Sequence, residues 1–559
     1  MTTKLDLPQA RSAIMTAMHS GNLDAARDLA SKARDAFPND ARLAQLSGSI
    51  ALKTNDPARA AEFFEAAVRL EPGSLAFVLD HTIALQRLGR HADVLSNLAR
   101  YEAQGRFDIR YANTMAASYR EMRNLAEAAF WYDHALSLDN RNRLALMGRS
   151  RVALERCEET ALAFTDRALA VNPGDANLWL GKANALDMAG DHDGALLVAR
   201  QIVEQAPGLI DGLSLLAQLR LARGDEDFAS HYNDAASKQP QNPNIPLAHC
   251  STLEGAGQSA QAADVASRAR IAFPDISHFA LLEALHRGSA GQWSEADAIF
   301  RTLEDTSAQR HLHEARHRLR GNAPDQAEAL LEKVLAKQPW DIAAWALRGI
   351  AWRLLDDPRR EWLHEQSGLV NFLPLAGESD LLERVIDHLH DLHARSPFPL
   401  GQSLRGGTQT RANLFDYASP VLGELAHAIK ATLEEYRAGL PDHDATHPLL
   451  RHRASDWRFD GSWSVRLTGG SDHHAAHIHP AGIISSALYL VVPESAQEQG
   501  GGGALEVGRP ATNLDLDLPP LATLQPRPGH LALFPSTLYH GTTPFKGEER
   551  MTVAFDVVV

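Results

Sequence analysis

The sequence predicts a multidomain chain in which an all-α array of repeated helix pairs precedes an antiparallel β domain with flanking helices. Three observations predict it. Prolines that follow an apolar helix end recur at Pro38, Pro72, Pro173, Pro207, Pro240, Pro274 and Pro339, so the gaps of 34, 101, 34, 33, 34 and 65 lie near multiples of one period. From about residue 455 the apolar period shortens from 3.6 to 2, the change expected where helices give way to strands. At 559 residues the chain also exceeds what a single hydrophobic core organises.

Residues 8–340 carry the repeats. Within a unit a turn glycine precedes an alanine by five positions: Gly21/Ala26, Gly190/Ala195, Gly224/Ala229, Gly257/Ala262 and Gly291/Ala296. The glycine lets the chain reverse between two helices, and the small alanine lets the second helix approach the first. The closing proline stops that second helix, because its ring cannot continue the hydrogen-bond ladder. Counting from Pro38 to Pro339 and adding the unit before Pro38 gives about ten repeats. Two are degenerate: the unit near Gly89, which lacks a closing proline, and the unit around His311–Gln326. The pattern resembles the tetratricopeptide repeat. That resemblance implies a superhelix with a concave face of the kind that binds proteins or peptides. The alternative is an array that only caps or dimerises the rest of the chain.

Residues 341–397 read as further helices. The tryptophans at 340, 345, 352 and 362 mark this stretch as the cap of the array and the linker to the next domain. Ser396-Pro397-Phe398-Pro399 then breaks the helical pattern, which opens the last domain at 398–559. GQSLRGGTQT (401–410) is a polar, glycine-bearing loop. Residues 418–440 place Val421, Leu422, Leu425, Ile429, Leu433 and Tyr436 on one helix face, which predicts a helix packed across the outside of a sheet. SWSVRL alternates Trp463, Val465 and Leu467 against Ser462, Ser464 and Arg466. IISSALYLVV, GALEV, HLALF and MTVAFDVVV follow as short strands bounded by Gly or Pro, which indicates a β-sandwich or barrel.

The chemistry gathers in the last hundred residues. His477 and His479 stand one residue apart, His540 follows 61 residues after His479, and Arg550-Met551-Thr552 comes ten residues later. Imidazoles suit Fe, Zn, Cu and Ni, so residue type leaves the metal open. Arg550 and Thr552 share one face of a strand, where a guanidinium and a hydroxyl can hold one anion. Asp472 is the alternative to His479 as a ligand. Arg466 is a further candidate for contact with a cosubstrate or substrate.

The order of these elements, and the wording HIHPAGIISSALYLVVPE, GGGALEVGRP, PRPGHLALFPSTLYHGTTPF and ERMTVAFDVV, resembles the C-terminal module of a bacterial family of 2-oxoglutarate-Fe(II) oxygenases that follow tetratricopeptide repeats. The resemblance covers about residues 400–559. It implies a double-stranded β-helix (jelly roll) and a 2-oxoglutarate-dependent dioxygenase, a hydroxylase acting on a protein or peptide brought by the repeats. It also implies Fe(II) held by His477, His479 and His540, and 2-oxoglutarate held by Arg550, Thr552 and Tyr489. His479 departs from the superfamily's pattern, in which the close pair is His-x-Asp. A neutral third ligand leaves the metal more positive and less electron-rich. Two other readings are a tetratricopeptide scaffold with a degenerate, non-catalytic oxygenase domain, and a zinc hydrolase on the same histidines. The second leaves Arg550 and Thr552 unexplained.

Composition narrows the partners. A formal net charge of −15 argues against a nucleic-acid backbone or an anionic membrane. Hydrophobic content of 44% and charged content of 22% describe a soluble globular protein. The first residues carry no apolar stretch of signal-peptide length, and no apolar run reaches membrane-spanning length. Cys157 and Cys250, both inside helical patterns, read as buried small hydrophobes in a reducing compartment. The expected location is the cytoplasm. His313-Glu314-Ala315-Arg316-His317 spells the zinc-protease helix motif, but it lies in a degenerate repeat and reads as chance. His388, His390 and His393 read as solvated surface. Gly500–Gly503 lacks the Lys-Ser/Thr of a phosphate loop.

Overall fold

In the computed structural model, which describes residues 6–377, 380–396, 404–468, 473–497, 502–545 and 549–559, the repeated helices turn on a residue of left-handed backbone. Gly21, Asn55, Gly89, Arg123 and Cys157 take this conformation, and so do Gly190, Gly224, Gly257, Gly291, Asn322 and Asp356, with φ between +48° and +84°. Five of the eleven are glycines the sequence pattern had identified as turns. Asn and Asp tolerate the conformation, whereas Arg and Cys adopt it at a cost of about 1–2 kcal/mol. Five residues further on, Ala26, Ala60, Ala128, Ala195, Ala262, Ala296 and Ala327 are wholly buried, because each lets its helix close on the preceding one. Ten such helix pairs occur among the described residues, from Leu7–His19 with Leu23–Ala36 to Ala308–Arg320 with Pro324–Lys337. Helix Ile342–Leu354 begins an eleventh, but after Asp356 a π-helical turn, Glu361–Glu365, replaces its partner. Cys157 is therefore a half-buried turn residue and not part of a helix interior, whereas Cys250 is buried as expected.

The described residues form two compact units, Met1–Gly181 and Lys182–Val559. Helix pairs occupy the first. The second continues with helix pairs and adds the β module. No helix among the described residues is long and apolar enough to cross a membrane.

Among the described residues eleven strands build the module: β1 (Asn371–Pro374), β2 (Leu404–Arg405), β3 (Thr408–Gln409), β4 (Arg458–Leu467), β5 (His473–His474), β6 (Ile484–Val491), β7 (Leu505–Val507), β8 (Ala522–Leu524), β9 (His530–Pro535), β10 (His540–Thr542) and β11 (Arg550–Val558). They form a six-stranded sheet in the order β1-β9-β6-β11-β4-β3, a three-stranded sheet β10-β7-β8 and the pair β2-β5. The recorded strand pairings are antiparallel. Strand β1 lies in a stretch that reads as helical, because four residues are too short to show a period. The loop at 404–409 supplies two short strands instead of staying irregular, while Pro397–Pro399 and 401–403 lie outside the described residues.

Alternation along the strands separates two cores. Met551, Val553, Phe555 and Val557 of β11 face the helices Leu381–His393 and Pro420–Gly439, joined by Leu488 of β6 and Leu531 and Leu533 of β9. The second helix buries the predicted face, Leu422, Leu425, Ile429, Leu433 and Tyr436. Tyr489, Ala532 and Phe534 point the other way, toward Leu505 and Val507 of the smaller sheet. His393 is not on the surface. It continues the i, i+4 series Leu381, Val385, Leu389 into the core, where its ring bonds Thr408 and Ser464 at 2.9 Å each. His390 pairs with Glu549 at 2.9 Å.

The tryptophan-rich stretch joins the last repeat to the β module. Trp345 packs edge to face with Trp352 and Trp362, within a core shared with Leu514 and Tyr539. Trp362 donates its indole N–H to Asp444 at 2.8 Å. Buried imidazoles lock the joint. His364 shares a 3.0 Å hydrogen bond with Thr537, and burial, with His447 nearby, holds its pKa down at about 3. His447 bonds the carbonyl of Leu363 through Nε2 at 3.1 Å. Its Nδ1 accepts the amides of Leu449 and Leu450, and burial lowers its pKa to about 4.

These depressed values set a pH dependence. Above about pH 6.5 folded and unfolded histidines are both neutral and contribute nothing. Below it the unfolded chain takes up protons that the folded one refuses, so stability falls with pH by about 1.4 kcal/mol per unit for each such histidine until its folded pKa is reached. We predict that His447→Asn, whose side-chain oxygen can accept the same amides, flattens the slope of unfolding free energy between pH 6.5 and 4.5 by about that amount in denaturant titrations. An unchanged slope would remove His447 from the account.

Candidate metal centre

The site begins with a backbone pairing. His477 donates its amide to the His540 carbonyl at 3.0 Å, and His540 donates back to the His477 carbonyl at 2.9 Å. This isolated antiparallel bridge presents both side chains to the same space. His479, two residues on, turns its ring to the same point. Ring centroids stand 4.3 Å apart for His477 and His540, and 4.9 Å for His479 with each of the others. The three form a group whose ligand atoms all lie within 4.8 Å of one another.

Hydrogen bonds fix which nitrogens face inward. Nδ1 of His477 lies 2.8 Å from the Ala475 carbonyl, and Nδ1 of His540 lies 3.2 Å from the Leu538 carbonyl. Nδ1 of His479 lies 2.5 Å from Oδ1 of Asp556. Carbonyls and carboxylates accept only, so each Nδ1 carries the hydrogen and each Nε2 is left as a lone pair. Nε2 of His477 and Nε2 of His479 are nevertheless 2.9 Å apart. Two lone pairs at that distance require a positive charge between them, either a shared proton or a metal ion. Ligands about 2.1 Å from a metal and at right angles stand roughly 3 Å apart, so the pair has the spacing of adjacent ligands. Burial, followed by the fields of His477 and His479, holds His540 far below the usual imidazole range, which keeps it in the neutral form that binds metals.

The cavity in front of the triad is also lined by Gln409, Trp463, His474, Arg550, Thr552 and Ala554. Arg550 and Thr552 are buried and lie on the face of β11 that Ala554 continues. The guanidinium donates to the Gly503 carbonyl at 3.0 Å and to the Tyr489 hydroxyl at 3.3 Å. No acidic side chain pairs with it among the described residues. Burial lowers its pKa, and an uncompensated charge in such a place costs several kcal/mol. An anion bound in the cavity removes that penalty. Tyr489 stands behind the guanidinium, in the core between the sheets. Burial raises its pKa, so the phenol keeps its proton.

The remaining candidates fall elsewhere. Arg466 points away from the cavity and pairs with Glu549 at 2.6 Å, because it shares its face of β4 with Ser464, under the helices. Asp472 and Gly500–Gly501 lie outside the described residues. Gly502 and Gly503 are described and take positive φ. In the helical motif, Glu314 is occupied by Arg310 and Arg318 at 2.8 and 2.9 Å. Two site residues escaped the sequence reading. His474 stacks 6.1 Å from His477, and Asp556 backs His479. Counting by twos from Arg550 and Thr552 reaches Asp556, the signal that was there to use.

Tandem helix pairs and an antiparallel β module bearing three convergent histidines define a class, a repeat protein fused to a candidate metalloenzyme. Comparison with known families specifies it. Residues 461–556 match the family described as "Putative 2OG-Fe(II) oxygenase", and residues 13–74 and 145–210 match the tetratricopeptide repeat. Matches to the tetratricopeptide repeat thus precede, in one chain, a match to that oxygenase family. Among solved structures it is similar to a tetratricopeptide repeat protein of Parabacteroides merdae, at 17% identity over 44% of this chain and 98% of the other, with a TM-score of 0.35. It is also similar to pilF of Pseudomonas aeruginosa, at 16% identity over 37% and 96%, with a TM-score of 0.34. No curated protein matches the chain.

The triad is testable through metal content. His477→Ala, His479→Ala and His540→Ala should each weaken Co(II) or Fe(II) binding more than about 100-fold, beyond the loss typical of an outer-sphere change. His473→Ala should retain stoichiometric metal by elemental analysis. Full retention by His479→Ala would take that residue out of the centre.

Proposed function

We propose that the protein is an Fe(II)- and 2-oxoglutarate-dependent dioxygenase that hydroxylates a protein or peptide recruited by its repeats. The observation that carries this reading is Arg550, a buried guanidinium without an acidic partner among the described residues, in the wall of the cavity that the three histidines share. In this reading His477, His479 and His540 hold the metal. Arg550 and Thr552 take the distal carboxylate of 2-oxoglutarate, a charge-assisted pairing suited to a planar guanidinium. Tyr489 accepts one guanidinium N–H and so orients the clamp. Trp463, Val465 and Leu505 give the cavity apolar walls that exclude water. Bound there, the cofactors supply the oxidation, in which 2-oxoglutarate is decarboxylated to succinate and carbon dioxide while one atom of O2 enters a substrate C–H bond.

The two facing sheets are read as the walls of a double-stranded β-helix over 398–559, after repeats at 8–340 and a cap and linker at 341–397 that lends the larger sheet its edge strand β1. Repeats of this kind suit an extended peptide better than a small metabolite. The acidic net charge, −15, disfavours nucleic acid as that partner. A content of only two cysteines fits a reducing cytoplasm.

Anion binding tests the reading. In anaerobic calorimetry on the metal-loaded chain, Arg550→Ala should weaken 2-oxoglutarate roughly 30- to 4,000-fold, the loss expected when a buried charge pair loses one partner. Metal affinity should stay near that of the parent. Binding of 2-oxoglutarate within about threefold of the parent would refute the clamp.

A further inference from the structure

His479 replaces the carboxylate expected at the third ligand position, and a carboxylate nevertheless stands directly behind it. We propose that Asp556 is a positioning residue for the metal centre, returning from one hydrogen bond away the negative charge that a direct Asp ligand would supply. The inference rests on the metal-centre reading above and adds to it a role for a residue outside the ligand set.

Four observations carry it. The Asp556 carboxylate lies 2.5 Å from Nδ1 of His479, and both side chains are largely buried, 15% and 13% exposed. His479 is the hydrogen-bond partner recorded for Asp556 among the described residues, so no second cation shares its charge. Asp556 continues the face of β11 that carries Arg550, Thr552 and Ala554, and β11 shifts register against β4 between Phe555 and Val557. Such an irregularity commonly re-aims a side chain beside a site. Finally, the niche is shaped for this side chain. A Cβ at Gly482 would lie 3.2 Å from Cβ of Asp556, closer than ordinary contact.

The chemistry follows from the hydrogen bond. A carboxylate on Nδ1–H fixes the tautomer, holds the ring plane and makes Nε2 a stronger donor toward a cation. It also lowers the net charge of an ion with three neutral ligands, without occupying a coordination position. A carboxylate in the ligand shell and one at 556 are therefore alternatives. Introduced together they would repel.

Co(II) titration of the full-length chain without 2-oxoglutarate tests this, read by affinity and by the Co(II) visible spectrum. Asp556→Ala should weaken Co(II) about 10- to 100-fold and alter the spectrum. Asp556→Asn keeps an acceptor for Nδ1–H but no charge, so it should restore the parent spectrum with an affinity between the other two. Circular dichroism melts of both variants separate loss of fold from loss of metal. His479→Asp should bind Co(II) poorly alone and recover when combined with Asp556→Asn. If a folded Asp556→Ala binds Co(II) within twofold of the parent, or His479→Asp is indifferent to residue 556, the positioning role is refuted while the metal centre stands. A parent chain that takes up no Co(II) refutes both.

Discussion

Three imidazole lone pairs aimed at one point form the constraint on which the rest of the site depends. Each Nδ1 is already committed to an acceptor, so the Nε2 atoms of His477 and His479 meet at 2.9 Å with no hydrogen between them unless one is added. Only a positive charge makes that arrangement favourable. The fold supplies the convergence by backbone means, through the reciprocal His477–His540 bridge and the pairing of β10 with β7. His477 and His540 are placed by these main-chain hydrogen bonds, and the His479 ring by its bond to Asp556.

Strand β11 acts as the ruler of the site. Its even-numbered residues place a guanidinium, a hydroxyl, a methyl and a carboxylate along one face, while Met551, Val553, Phe555 and Val557 anchor the other face under two helices. Ala554 matters by being small, because a longer side chain there would fill the cavity between clamp and triad. The apolar anchoring holds a buried charge such as Arg550 in place where no acidic side chain pairs with it among the described residues. A strand fixed on one side holds its charged groups in place on the other.

Much of this was legible in the sequence, for physical reasons. The helix array announces itself because a glycine at a left-handed turn and an alanine at a close approach recur with a period. Where Asn55, Arg123 or Cys157 takes the left-handed position, residue type hides the geometry, and the pattern skips a unit. The triad and clamp are visible because a His-x-His pair and an Arg-x-Thr on a strand each have few other uses in that order. Asp556 was hidden by its neighbours, since AFDVVV reads as a core strand with one polar interruption. Arg466 and His393 were misplaced because both faces of β4 are covered, one by the cavity and one by a helix. A period of two says that a strand has two faces, but not what lies against each.

The central claim is that one cavity binds a divalent iron and a 2-oxo acid together. Anaerobic addition of Fe(II) and then 2-oxoglutarate to the full-length chain, followed by visible absorption, tests it most directly. The account predicts a charge-transfer band that appears only when both are present, that saturates at one equivalent of iron, and that is lost in His479→Ala. Absence of the band, with iron and 2-oxoglutarate each failing to alter the other's binding, would contradict it.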